Sequence, residues 1–259
     1  MNRTALAALA LAAFGGALLC DSPAVAARQS YSLKRVWKAG ESDRYRTVIT
    51  METENPTGTM TVEFTIQTTE NVKDVKPDGT AIVETKVDNA SMLVKDAKNS
   101  ATRELNDNSV VTTTYDGTGR ETKREVAAEN GQPGPALMML GLVRAATIPP
   151  RSMKAGEEWK YDIPPADAKS SRRAGSVTVV GVEKLADAPP GEALKVKCST
   201  VVTTPGATGD EKVSIDSTVL LDPATGKTLN VDGTGSGRLG TLDAKKIIIK
   251  QQRMKPAAK

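Results

Sequence analysis

The chain has 259 residues, 35 lysines and arginines against 31 acidic residues, a formal net charge of +4 and no histidine. Without histidine there is no Ser/His/Asp or Cys/His centre, no histidine-ligated zinc or haem, and no imidazole base near neutral pH. Aromatic residues make up only 3%, too few for a base-stacking platform. The basic residues are interspersed with acidic ones, in runs no longer than pairs such as Arg172-Arg173 and Lys245-Lys246, so nucleic acid is not an expected partner.

The first 26 residues read as a secretory signal peptide. Arg3 precedes an apolar run from Ala5 to Leu19, and Ala24-Val25-Ala26 fits the small-x-small cleavage pattern. The run is shorter than the roughly 20 residues that a spanning helix needs. The expectation is a chain exported to the periplasm or beyond, cleaved near Ala26, with no transmembrane segment in the mature form. A lipid anchor on Cys20 is the minor alternative, disfavoured because Leu19 stands where a small residue is needed. Cleavage at Ala26 leaves Cys198 as the one cysteine, without a disulfide partner.

In the expected N-terminal β half, residues 27–132, the alternation of Tyr31, Leu33, Arg35 and Trp37 predicts a strand. It runs into Lys38-Ala39-Gly40-Glu41, read as the turn of a hairpin. Tyr45, Thr47, Ile49 and Met51 form one face of the next strand. Beyond Asn55-Pro56-Thr57-Gly58, the residues Met60, Val62, Phe64 and Ile66 form another. Lys76-Pro77-Asp78-Gly79 is a further turn, followed by apolar segments at 81–83 and 92–94. The polar stretch 96–108 is expected to be a loop. Val110 to Tyr115 is a β-branched strand that turns at Asp116-Gly117 and pairs back to Val126. Asp116-Gly117-Thr118-Gly119 lacks the spaced oxygen ligands of a calcium loop, and no metal or cofactor is expected.

The connector, residues 133–150, has a different pattern. Gly134-Pro135 opens Ala136-Leu137-Met138-Met139-Leu140-Gly141-Leu142-Val143, apolar on all sides and expected to be a short buried helix. Leu137, Met138, Met139, Leu140, Leu142 and Val143 are the candidate ligand-binding residues, on the argument that an apolar helix within curled strands can line a cavity. A helix that merely completes the core is the competing reading.

Pro149-Pro150 leads to the C-terminal β half, residues 151–259, where Lys154-Ala155-Gly156-Glu157 repeats the earlier tetrapeptide. Strands are expected at Trp159–Ile163, Val177–Val182, Leu194–Val202 and Val213–Leu221. After the Asp222-Pro223-Ala224-Thr225-Gly226 turn, a return strand at Leu229 and Val231 stops at Asp232-Gly233, and the last strands lie between Leu239 and Ile249, with a frayed tail from Lys255. Cys198 falls on an apolar face, a poor setting for a nucleophile. The repeated Glu41 and Glu157 are the one carboxylate pair that could serve a hydrolase, although a glutamate after a turn glycine is ordinarily solvated.

Three segments, LKRVWKAGESDRYR from Leu33, IPPRSMKAGEEWKY from Ile148 and STVLLDPATGK from Ser217, resemble an uncharacterised family of secreted bacterial β-rich domains of unknown function. The resemblance implies fold and export and supplies no catalytic residues. The overall expectation is an all-β, mainly antiparallel protein, an open barrel or sandwich with one short apolar helix. Its expected role is non-enzymatic: binding or scaffolding in the cell envelope, with an envelope component or a lipid-like apolar ligand as partner.

Overall fold

The computed structural model describes residues 29–55, 58–127, 134–144, 148–165, 171–185, 191–206, 209–239 and 242–254. The expected signal peptide (residues 1–26), Cys20 and the tail from Lys255 lie outside the described residues. The fold is all-β with a single short helix. Strands β1 (Ser30–Ser32), β2 (Ser42–Asn55), β3 (Gly58–Val75), β4 (Ala81–Lys95), β5 (Ser100–Glu104), β6 (Val110–Tyr115) and β7 (Glu121–Ala127) precede helix α1 (Pro135–Val143). Strands β8 (Ser152–Lys154), β9 (Glu158–Ile163), β10 (Arg172–Lys184), β11 (Glu192–Gly206), β12 (Gly209–Leu221), β13 (Thr228–Leu239) and β14 (Leu242–Arg253) follow it.

One antiparallel sheet of 12 strands runs β7-β6-β4-β3-β2-β14-β13-β12-β11-β10-β9, with β5 paired to β4 alone. The last strand therefore lies beside β2, with Arg253 opposite Tyr45 and Ile249 opposite Ile49. The sheet does not close into a barrel, since β7 and β9 are its two edges. It curls nonetheless, because residues of both edges and of the central strands line one cavity. No helix among the described residues is long and apolar enough to cross a membrane.

Period-two alternation builds the inner face. Tyr45, Thr47, Ile49 and Met51 of β2, Val62, Phe64 and Ile66 of β3, and Ile247 and Ile249 of β14 are all buried, as half-covered antiparallel strands require. Helix α1 packs against β3 and β4 on this face, with Ala136, Leu137, Leu140, Leu142 and Val143 buried. Its N-terminus is fixed from 30 residues away: Asp107 Oδ2 accepts a 3.0 Å hydrogen bond from Leu137 N. Ser109 Oγ accepts one from Gly134 N, also at 3.0 Å. The free N–H groups of a first helical turn need such acceptors when buried. A Cβ on Gly134 would lie 2.4 Å from the Asp107 carboxylate, so the capping position has to be glycine.

Several expectations change. The strand before the first Lys-Ala-Gly-Glu turn is reduced to β1, which pairs with β8, Tyr31 facing Met153. Residues 33–37 continue as an extended strap, so no hairpin crosses that turn. The strap bonds elsewhere, from Leu33 N to Arg151 O at 3.2 Å and from Val36 N to Thr225 O at 2.8 Å. The stretch expected to be a loop at 96–108 contains β5, whose residues are all exposed. Polar composition hid it, because backbone pairing with β4 needs no apolar side chains. Strand β13 runs through Asp232-Gly233 to Leu239, since Gly233 and Gly235 stand where side chains would press on β12. A Cβ on Gly235 would meet Ser214 O at 2.2 Å.

Candidate functional site

The two Lys-Ala-Gly-Glu turns make the same backbone bonds. Gly40 N donates to Val72 O at 2.9 Å and Val72 N to Glu41 O at 2.9 Å. In the second, Gly156 N donates to Val179 O at 2.8 Å and Val179 N to Glu157 O at 3.3 Å. Each turn thus extends a strand pair by one step, to a point just before a bulge in the partner strand, at Val72/Asp74 and Val179/Gly181. The positive φ of Gly40 (76°) and Gly156 (79°) lets the chain reverse there without a Cβ clash.

Around the first turn lies a charge network that sequence reading missed. Asp43, 3% exposed, accepts from Arg253 Nε at 2.7 Å and faces Lys227 Nζ at 3.1 Å and Arg35 at 3.4 Å. Lys227 also bonds Glu41, and Arg35 lies 3.7 Å from Glu41 and 3.8 Å from Glu70. Burial, reinforced by Arg35, Arg253 and Lys38, lowers the Lys227 ammonium to about 8. The carboxylates of Glu41 and Asp43 pull the other way, and the ammonium remains charged at neutral pH. The signal in the sequence was an arginine and an aspartate in phase with apolar residues: Arg35 with Leu33 and Trp37, Asp43 with Tyr45 and Ile49.

Two of the three sequence segments singled out above, those from Leu33 and from Ser217, meet here. The strap, the first turn and the Asp222–Lys227 turn are in direct contact, and Gly226 lies under the strap, where a Cβ would approach Lys34 O to 2.6 Å. Glu157 is held separately, by Arg151 at 2.8 Å and Lys154 N at 2.9 Å. No hydrogen bond or ion pair joins it to Glu41 among the described residues, so the structure does not assemble a carboxylate pair from the two turns.

The concave side of the sheet forms a partly open cavity of about 670 Å³. Leu33, Leu140, Val143, Ile148, Val219, Leu221 and Val231 give it apolar walls. Of the six connector candidates, Leu140 and Val143 line it. Leu137 and Leu142 are buried in the core, Met139 is partly buried against it, and Met138 points outward at 59% exposure. At one side Trp37 stacks on Tyr115, centroids 4.9 Å apart, with the Arg35 guanidinium 4.5 Å above the Trp37 ring. Burial raises the phenols of Tyr45 and Tyr115, helped at Tyr45 by Glu70 and Asp43, so both stay protonated. Arg144, just past α1, donates to Thr85 Oγ1 at 3.1 Å and pairs with Glu70 at 3.5 Å.

Cys198 is buried on the inward face of β11 and lies outside this cavity. Burial pushes its thiol up to about 12, which leaves it without nucleophilic character at neutral pH. No group of three or more acidic or cysteine side chains suited to a metal ion occurs among the described residues. No family model matches the chain, and no curated protein matches it.

Proposed function

We propose that the chain is an exported, non-enzymatic binding protein of the cell envelope that holds a lipid-like apolar ligand in the cavity of its curled sheet. The observation that carries this reading is the cavity itself: its volume of about 670 Å³ falls within the roughly 300–1,000 Å³ of small-molecule sites. Apolar side chains from the helix, the strap and the central strands line it, together with arginines and carboxylates contributed by several strands. Of the groups the sequence offered for catalysis, Glu41 and Glu157 are ion-paired and the Cys198 thiol is buried outside the cavity, which favours binding over chemistry. The signal-peptide pattern supports export.

The test is titration of the mature chain with N-phenyl-1-naphthylamine, a neutral fluorescent apolar probe. Saturable enhancement is expected, with a change in Trp37 emission. Thr228→Trp, which places an indole in the cavity wall, is expected to abolish it while the unfolding midpoint is retained. Absence of saturable binding by the intact protein, or full binding by the filled variant, overturns the reading.

A further inference from the structure

We propose that this cavity selects amphiphiles with an anionic headgroup, which a cluster of arginines on its rim receives while the apolar tail lies against the helix. The inference rests on the cavity-binding reading above and specifies the chemistry of its ligand.

Five arginines line the cavity, Arg35, Arg120, Arg124, Arg144 and Arg173, against three carboxylates, Glu70, Glu121 and Asp162, and no lysine does. Two of those carboxylates are already occupied: Glu70 by Arg35 and Arg144, and Asp162 by Arg172, which lies outside the lining. Glu121 remains as the nearby counter-charge of Arg124. The cluster has no common sequence origin. Arg120 and Arg124 belong to β7 and the turn before it, Arg173 to β10 beside the opposite edge, and Arg144 to the residue after α1. The curl of the sheet brings three separate elements to one rim. Burial, and after it the nearby charges of Arg144 and Arg173, disfavour the charge of Arg124. Among the described residues neither Arg124 nor Arg173 has a salt bridge or a side-chain hydrogen bond.

The second observation is a set of unpaired polar atoms beside the same cavity. Arg35 Nη1 and Trp37 Nε1 are buried donors with no hydrogen-bond partner, and both residues line it, whereas the unpaired acceptor Glu41 Oε2 belongs to a residue outside the lining. Buried donors are nearly always satisfied. Carboxylate or phosphate oxygens offer several acceptor positions, and guanidinium groups bind them with the strongest hydrogen bonds available to a side chain. Guanidinium groups at the rim and apolar walls beneath them match a single-chain amphiphile with one anionic end. A cavity of this size suits a ligand of that class.

The test is displacement of N-phenyl-1-naphthylamine from the mature chain by four twelve-carbon amphiphiles below their micelle concentrations: dodecanoate, dodecyl phosphate, dodecyl maltoside and dodecyltrimethylammonium. The two anions are expected to bind at least tenfold tighter than the neutral maltoside, with the cation weakest, and added salt is expected to narrow the gap. In an Arg124→Gln/Arg173→Gln variant whose unfolding midpoint is unchanged, the anion-to-maltoside affinity ratio is expected to fall about tenfold. Equal affinity across the four amphiphiles overturns the headgroup inference and leaves the cavity reading standing. Failure of the probe itself to bind overturns the cavity reading. Co-flotation with anionic phospholipid vesicles, without binding of monomeric dodecanoate or dodecyl phosphate, assigns the arginines to a membrane surface and also overturns the inference.

Discussion

At the first Lys-Ala-Gly-Glu turn, Glu41 is mostly enclosed between Lys227 and Arg35, and two residues later Asp43 is buried among three cations. At the second, Glu157 is nearly twice as open, 33% against 18% side-chain exposure, and pairs within its own loop. Two residues later comes Trp159, stacked on Tyr161. The backbone hydrogen bonds of the two turns are the same. The difference is position in the sheet: β2 has neighbours on both sides, β3 and β14, whereas β9 is an edge strand paired only with β10. A turn in mid-sheet is covered by the end of β14 and by the β12–β13 turn, which deliver Arg253 and Lys227, while the same turn at an edge meets water. Local sequence sets the turn, and the neighbouring strands decide whether its carboxylate is structural or solvated.

The sharpest way to break this comparison is to remove the buried acid. Asp43→Ala leaves Arg253 without a carboxylate partner and weakens the hold on Arg35 and Lys227. An uncompensated buried charge costs about 3–5 kcal/mol, and a loss of about 3 kcal/mol is expected in denaturant unfolding, since Glu41 and Glu70 retain part of the network. Glu157→Ala, at the exposed counterpart, should leave the unfolding midpoint nearly unchanged. Comparable losses at the two turns would show that sheet position does not separate them.

Glycine substitutions test the backbone that the turns share. Gly226→Ala combines a φ of +65° with a Cβ 2.6 Å from Lys34 O. It should lift the strap off the β12–β13 turn at a cost of about 2–4 kcal/mol, strain and overpacking together. At Gly40 and Gly156 nothing lies within 4 Å of an added Cβ, so only the left-handed backbone is penalised. Each alanine should cost about 1–2 kcal/mol, and the two costs should be equal. A Gly40→Ala cost well above that of Gly156→Ala, measured by the same unfolding experiment, would mean that the charge network constrains the first turn's backbone as well as its side chain.

What could be read from the sequence follows the same division between local and long-range causes. The alternation of Val62, Phe64 and Ile66 with polar residues fixes both strand and inward face, and an apolar run opened by Gly134-Pro135 fixes a helix. Those signals lie within a few residues, and the structure places both elements accordingly. The pairing of β14 with β2 joins residues some 200 positions apart, as in the Gln251 to Thr47 hydrogen bond. No short-range pattern encodes it. The strap was misread because Tyr31, Leu33, Arg35 and Trp37 alternate as a strand would, yet the groups that bond it, Arg151 O and Thr225 O, come from far along the chain. For the cavity, the apolar connector indicated where to look. The arginine rim was invisible, because its members are scattered over β7, β10 and the end of α1 and meet only when the sheet curls.

A separate question is whether the two turns report on one cooperative unit. Cys198 is buried on β11, in the part of the sheet that leads to the edge turn. Its thiol has an ordinary value of 9.0 and is pushed up to about 12 by burial. Between those values the unfolded chain binds fewer protons than the folded one, so this group lowers stability as pH rises above about 9 and contributes no pH dependence below it. At pH 8 the native thiol is therefore almost wholly protonated, and iodoacetamide should label it only through opening of the sheet. In Asp43→Ala, studied in a chain that starts at Ala27 and so lacks Cys20, a loss of about 3 kcal/mol should accelerate labelling by roughly 150-fold if opening is global. Labelling that stays at the wild-type rate while the β2 amides exchange faster would show that the region around the first turn opens alone. The continuous pairing from β2 through β14 to β11 favours the global outcome, because breaking the sheet between those strands would expose the inward face on both sides of the break.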